Sequence, residues 1–214
     1  WALNHYHTLD LASTGKRPLI LSRFAEVGSH RYPLGFSGDT IISWKSLDFQ
    51  PYFTANAANV GYTWWSHDIG GHQLGSRNDE LYVRWVQLGE FSPIMRLHST
   101  KDEFMGKEPW KYSFAAETAA VNALRERHAL IPYIYSINRL THTEGRALCE
   151  PMYYSYPCEK AASFRRLVRR RINCRPAVGE RGGRQKRAFS LRIKRSAVAL
   201  SVLRALRVLR ALGA

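Results

Sequence analysis

Short apolar runs alternate with longer helical patterns over the first 158 residues of the chain. Arg17–Phe24, RPLILSRF, keeps its apolar residues together over a strand's length and predicts a buried β-strand. Tyr32–Asp39, YPLGFSGD, predicts a second strand that is broken by glycine. Thr40–Val60 has a helical period, with Ile42, Leu47 and Phe49 on one face and a proline near its middle. Asn59–Gly71 reads as a strand ending in a polar turn. Asp79–Phe91 predicts an amphipathic helix, with Leu81, Val83, Trp85, Val86 and Leu88 apolar and Asn78 or Asp79 at the N-cap. Ser92–Thr100 predicts another short strand, and Ser113–Thr143 a long helical segment interrupted at Pro132. Gly145–Pro157 reads as a strand that runs toward a different sheet. Asp10, in HYHTLDLA, reads as a helix or loop residue.

Strands that alternate with helices, with polar residues gathered just after each strand, predict parallel βα units. In a (β/α)8 barrel those C-terminal strand ends form the active-site face. About four such strands are visible, where a closed barrel needs eight. The sequence pattern therefore fits either a small open sheet or part of a barrel, and the latter would leave two strand edges to be covered.

Charge changes this picture at one place. The chain has 214 residues and a formal charge of +15, which taken alone suggests a nucleic-acid binder. Residues 1–158 contain fifteen Lys and Arg against fifteen Asp and Glu, whereas residues 159–214 contain seventeen against two. The whole excess is in a tail that ends AVALSVLRALRVLRALGA, where Leu200, Leu203, Leu206 and Leu209 interleave with Arg204, Arg207 and Arg210. As a helix that end would be basic and amphipathic. The three cysteines show no CxxC spacing, which predicts a reducing compartment and no structural zinc. No signal-peptide pattern and no run of about 18 uncharged apolar residues is present, so a cytoplasmic protein without a membrane span is expected. The first residue is Trp, and the natural start is expected to lie further upstream.

The predicted strand ends carry Arg23, Asp39, His67 with Asp68, and Arg96 with His98. Each alone has an ordinary structural explanation: a turn or cap for the aspartates, an ion pair for the arginines, a hydrogen-bonded core site for the histidines. Their convergence, with Phe36, Trp64 and Trp65 beside them, is what a sugar-binding cleft requires. Rings stack on the apolar faces of pyranoses and charged groups hold hydroxyls. A metal reading fails on spacing, because neither His5 with His7 nor His67 with His72 brings the carboxylates a ligand set needs. Gly70 and Gly71 do not make a phosphate cradle.

Four motifs in order, RPLILSRFAEVGSHRYPLGFSGD, WWSHDIGGH, VRWVQLGEFSPIMRLHS and EPW, give Arg17–Pro157 a resemblance to glycoside hydrolase family 31, the α-glucosidase and α-xylosidase family. The style of WWSHDIGGH and MRLHST resembles bacterial α-glucosidases of the family. The resemblance implies an α/β fold made of a partial (β/α)8 TIM barrel, about its last four βα units. Residues 1–145 would be the C-terminal half of the catalytic barrel and 146–158 the start of a C-terminal β-domain. It also implies that Asp39 is the general acid/base and that Arg23, Phe36, Asp68, Arg96 and His98 bind sugar, with no cofactor and no metal.

The mechanism so implied is retaining hydrolysis by two carboxyl groups about 5–5.5 Å apart. The family's nucleophile is an Asp at the end of an earlier strand, so it is expected to lie before Trp1. The substrate expected for the parent enzyme is an oligosaccharide with a terminal non-reducing α-linked glucose. The 214 residues alone are expected to be inactive and poorly folded. Residues 159–214 do not continue the family pattern and are expected to be disordered or the product of a shifted reading frame near 158–161. Two other readings stand beside this one: a nucleic-acid-associated protein that uses the basic tail, and a sugar-binding remnant without chemistry. The balanced charge of residues 1–158 counts against the former, so neither nucleic acid nor membrane is expected as a partner, and oligomeric state is left open.

Overall fold

A computed structural model of the chain describes residues 1–23, 28–32, 34–159, 162 and 168–170. All of them lie in the first of two compact units, Trp1–Arg171. The terminal Arg/Leu helix, and nearly all of the basic tail expected to be disordered or frame-shifted, lie outside the described residues.

The fold is α/β, and its sheet runs parallel. Strands β1 (Leu21–Ser22), β2 (Leu34–Phe36) and β4 (Trp64–Ser66) form a three-stranded parallel sheet in that order. A parallel bridge between Ile69 and Leu97 extends the order to the next chain segment. The predicted strand sequence is thus recovered as a succession of neighbours, but the strands are shorter than their apolar runs. Of Ser92–Thr100 only that bridge forms. Arg17–Phe24 forms only β1, and it is not buried, since Leu19 and Leu21 are exposed. A ladder propagates only where a neighbour pairs with it, and β1 is at the edge of this sheet. A second, two-stranded parallel pair joins β3 (Ile41–Ile42) to β5 (Gln73–Gly75).

Helices cover this sheet where caps and periodicity place them. Helix α2 (Trp44–Asn59) starts at Ser43, whose hydroxyl accepts from the Ser46 amide at 3.2 Å. It continues through Pro51 and buries Leu47, Gln50, Thr54, Ala55 and Ala57, while Phe49 stays partly open, against Tyr52 and Phe53. Helix α3 (Asp79–Glu90) is capped by Asn78, which accepts from the Leu81 amide at 2.8 Å. Helix α4 (Phe114–Ala129) gives way to α5 (Ile131–Glu144), with Pro132 in the first turn of the latter, where its missing N–H costs nothing. The long helical pattern is therefore divided where proline divides it. The main core joins Ile42, Leu47, Ile69, Leu81, Tyr82, Trp85, Val86, Ala120 and Ala123. Small residues on α4 let it approach α3 closely.

Two elements lie outside the parallel sheet and its covering helices. Helix α1 (Ala2–Thr14) takes up Asp10 and buries no residue. Beyond α5, β6 (Cys149–Pro151) leaves the parallel sheet, as expected, and pairs antiparallel with β7 (Val168–Arg170), inside the basic segment. Among the described residues no helix is long and apolar enough to cross a membrane.

Candidate active site

The turn after β2 carries Asp39. Gly38 has φ of 77°, a region that side chains with a Cβ rarely adopt, and a Cβ there would lie 2.8 Å from Arg23 Nε. The absence of a side chain lets the Arg23 guanidinium lie against the turn from the end of β1, with its Nη1 3.8 Å from Asp39 Oδ2. Asp39 keeps 37% of its side-chain surface open, so a substrate atom can reach it.

Asp68 follows β4 and is fully buried. Its Oδ1 accepts from Arg96 in a short charge-assisted hydrogen bond, and Arg96 Nε also donates to Ser66 Oγ at 3.0 Å. The same guanidinium stacks over the Phe36 ring, 5.2 Å from its centre. Arg96 is thereby held from three sides and links β2, β4 and the 96–98 segment. Segment 96–98 is positioned by the backbone, since the Ile69 amide donates to the Arg96 carbonyl at 3.2 Å.

His72 stands between the two aspartates. Its Nε2 is 3.9 Å from Asp39 Oδ2 and its Nδ1 3.8 Å from Asp68 Oδ2. Gly71, with φ of 82° and a Cβ position 2.8 Å from Ile42 Cα, lets the chain double back so that this imidazole faces Asp68. The His98 ring lies against His72 at 4.7 Å between centroids. Burial first, and then the Arg96 charge, hold the His98 imidazole below its ordinary range. The structure thus brings Arg23, Phe36, Asp39, Asp68, Arg96 and His98 into one cluster. It adds His72, which the sequence reading considered only as a metal ligand paired with His67. The available signal was its place four residues after Asp68, across the Gly-Gly turn.

Neighbouring residues that share the same motifs do other work. His67 is in the core: Trp85 Nε1 donates to its Nδ1 at 3.1 Å, and its Nε2 therefore donates to Ser92 Oγ at 2.7 Å. Burial, with the Arg96 charge adding, pushes its pKa down to about 3, so it stays neutral. Trp64 and Trp65 were expected beside the polar cluster and are not there. Trp65 packs with Tyr62, Ala57 and Phe53, and Trp64 donates to Asn138 of α5 at 2.8 Å. A strand covered on both faces sends alternate rings into packing on each side, which leaves Phe36 as the aromatic of the cluster. Arg127 of α4 donates to the carbonyls of Glu90 and Pro93 at 2.9 Å each and to that of Ser92. It fixes the loop that delivers Arg96 and His98.

An exposed carboxyl beside a cation, a buried carboxylate held by arginine, two imidazoles and one ring make a site for hydroxyl binding and proton transfer. Comparison with known proteins identifies the family. Residues 1–137 match the family model for the glycosyl hydrolases family 31 TIM-barrel domain. The lysosomal alpha-glucosidase of Rattus norvegicus is 34% identical over 143 residues, which is 67% of this chain and 15% of that protein. An alpha-xylosidase of Saccharolobus solfataricus is 32% identical over 148 residues, 67% of this chain and 20% of that protein. A solved structure of a Flavobacterium johnsoniae dextranase complexed with glucose superposes with a TM-score of 0.68 at 28% identity, covering 73% of this chain and 20% of its own. The chain therefore spans about a fifth or less of the length of these relatives.

Proposed function

The chain belongs to glycosyl hydrolase family 31, and from that premise we propose that it carries the acid/base half of a retaining α-glucosidase site, built on about the last four βα units of a (β/α)8 barrel. The observation that supports this most is the gathering of Arg23, Asp39, Asp68, Arg96 and His98 after the C-terminal ends of neighbouring parallel segments. That is the face on which barrel enzymes place their chemistry.

Asp39 is the acid/base. It is the more open of the two clustered aspartates, and it protonates the glycosidic oxygen as the bond to the anomeric carbon breaks. It then takes a proton from the water that attacks the glycosyl-enzyme. Asp68 is unsuited to attack, because it is buried and its Oδ1 is committed to Arg96; it holds sugar hydroxyls, with His98 and Arg96. Arg23 orients the same ring, and Phe36 offers it an apolar face. The nucleophilic carboxylate comes from a segment of the parent protein that precedes Trp1. The exposed Leu21 on β1 with Leu19 just before it, and the exposed Leu9 and Leu11 of α1 with Trp1 at its N-cap, are consistent with a surface meant to be covered by the rest of a barrel. The substrate is a terminal non-reducing α-linked glucose.

The test is hydrolysis of an aryl α-glucoside by the parent protein, read from the source gene upstream of Trp1, and by the 214-residue chain alone. The parent releases α-glucose first, as followed by proton NMR, and the chain alone is inactive. Release of β-glucose by the parent, or turnover by the chain alone, would overturn the proposal.

A further inference from the structure

A second kind of ligand fits the same cluster. Asp68 Oδ2 is buried and has no hydrogen-bond partner, and His72 Nδ1 is likewise buried and unpartnered. They face each other at 3.8 Å, too far for a direct hydrogen bond. His98 completes a set in which one donor atom from each of the three residues lies within 4.8 Å of the others. We propose that Asp68, His72 and His98 form a binding site for a divalent cation of the zinc type. This site would use two imidazoles and one carboxylate, with an open position toward the cleft.

The geometry is close to what such an ion needs. Zinc holds nitrogen and carboxylate oxygen at about 2.0–2.2 Å, so tetrahedral donors sit about 3.3 Å apart. Closing the 3.8 Å between Asp68 and His72 to that separation asks for about half an ångström of side-chain movement, and drawing in the full set, which spans up to 4.8 Å, asks for up to about 1.5 Å, within the reach of a side-chain rotation. The framework is rigid where it matters. The Ile69–Leu97 bridge aligns the segments that bear Asp68 and His98, and the Thr100 amide donates to the His72 carbonyl at 3.0 Å. Asp39 stands beyond His72 on its Nε2 side, where a carboxylate orients a metal-binding imidazole. Two imidazoles with one carboxylate favour zinc and its late first-row neighbours over magnesium or calcium, which prefer all-oxygen shells. Arg96 on the other oxygen of Asp68 adds positive charge, so binding is weaker than at a structural zinc site. Sequence spacing does not reveal this set, because His98 arrives from a different segment.

The experiment titrates the metal-free parent protein with Zn2+ against a chromophoric chelator and records the visible spectrum with Co2+ as a stand-in. One saturable equivalent is expected, with the intense bands of a low-coordinate nitrogen–oxygen site. His72→Asn and His98→Asn each weaken binding more than about a hundredfold, since even outer-shell losses cost tenfold or more. His5→Asn combined with His7→Asn, both on α1 and outside the cluster, leaves it unchanged. Circular dichroism checks that each variant keeps its helices. A Co2+ spectrum like that of the free aqua ion overturns the proposal from the wild type alone. So does unchanged affinity in the His72 and His98 variants, or loss in the α1 control. Asp68 and His98 also hold sugar in the proposed function, so a bound cation would exclude the sugar, but the readouts are of metal binding alone and their failure leaves the sugar reading standing.

Discussion

Gly38 sets the position of Asp39 through its backbone. An alanine there would have to hold φ of 77° and displace Arg23 Nε from 2.8 Å. Gly38→Ala is expected to lower stability by about 1–2 kcal/mol from the left-handed conformation alone, read as a lower midpoint in urea. His67 gives a different signature. Its folded pKa is depressed to about 3 from 6.5 by burial, with Arg96 adding. Below about pH 6.5 the unfolded chain takes up a proton that the fold excludes. Stability therefore falls as pH drops, by about 1.4 kcal/mol per unit from this site, and the loss levels off near pH 3. His67→Gln removes that part of the slope in urea unfolding measured between pH 7 and pH 4, and an unchanged slope would contradict the assignment. At this scale the sequence was informative for groups named by a motif and silent on contacts. Asp39, Asp68 and His98 could be picked out. That His67 would donate to Ser92 while His72 faced the cleft could not, because both are imidazoles in one short motif and only packing separates them.

The helices were the most legible elements, for local reasons. Asn78 before Asp79, and Pro132 within a long apolar period, act through neighbouring backbone atoms alone. The strands were legible in order but not in length, because their pairing depends on segments far along the chain. Helix α1 was left between helix and loop, since it buries no residue and has no side-chain cap. Long-range support is concentrated in Arg127, which ties α4 to the carbonyls of the 90–93 loop. Burial holds its pKa below the usual guanidinium range, though it remains charged. Arg127→Met is expected to cost about 2–3 kcal/mol, the loss of charged hydrogen bonds to carbonyls left without a donor. It also loosens the segment that carries Arg96 and His98. Hydrogen exchange at Leu97 and His98 should speed up while α2 amides keep their protection; equal loss in both would mean general unfolding instead.

For the whole molecule, the sheet edge at β1 and the exposed helix α1 bear on how the chain is used. Both carry large exposed side chains, and the chain matches a fifth or less of relatives that share its fold. The proposal that catalysis needs an upstream carboxylate follows from Asp68 being occupied with Arg96, not from Asp39 itself. The balanced charge of residues 1–158 fits a sugar site better than a nucleic-acid surface.

Central to this account is the role of Asp39 as acid/base opposite a nucleophile carried elsewhere. The most direct test is azide rescue of Asp39→Ala in the parent protein, with an aryl α-glucoside whose leaving group departs without protonation. Loss of the acid/base should lower turnover by roughly 10²–10⁴-fold, and azide, which needs no base, should restore it. The expected product is α-glucosyl azide, because the glycosyl-enzyme still forms and is opened from its free face. A β-glucosyl azide would make Asp39 the nucleophile, and undiminished turnover without azide would remove it from the chemistry; either result contradicts the account.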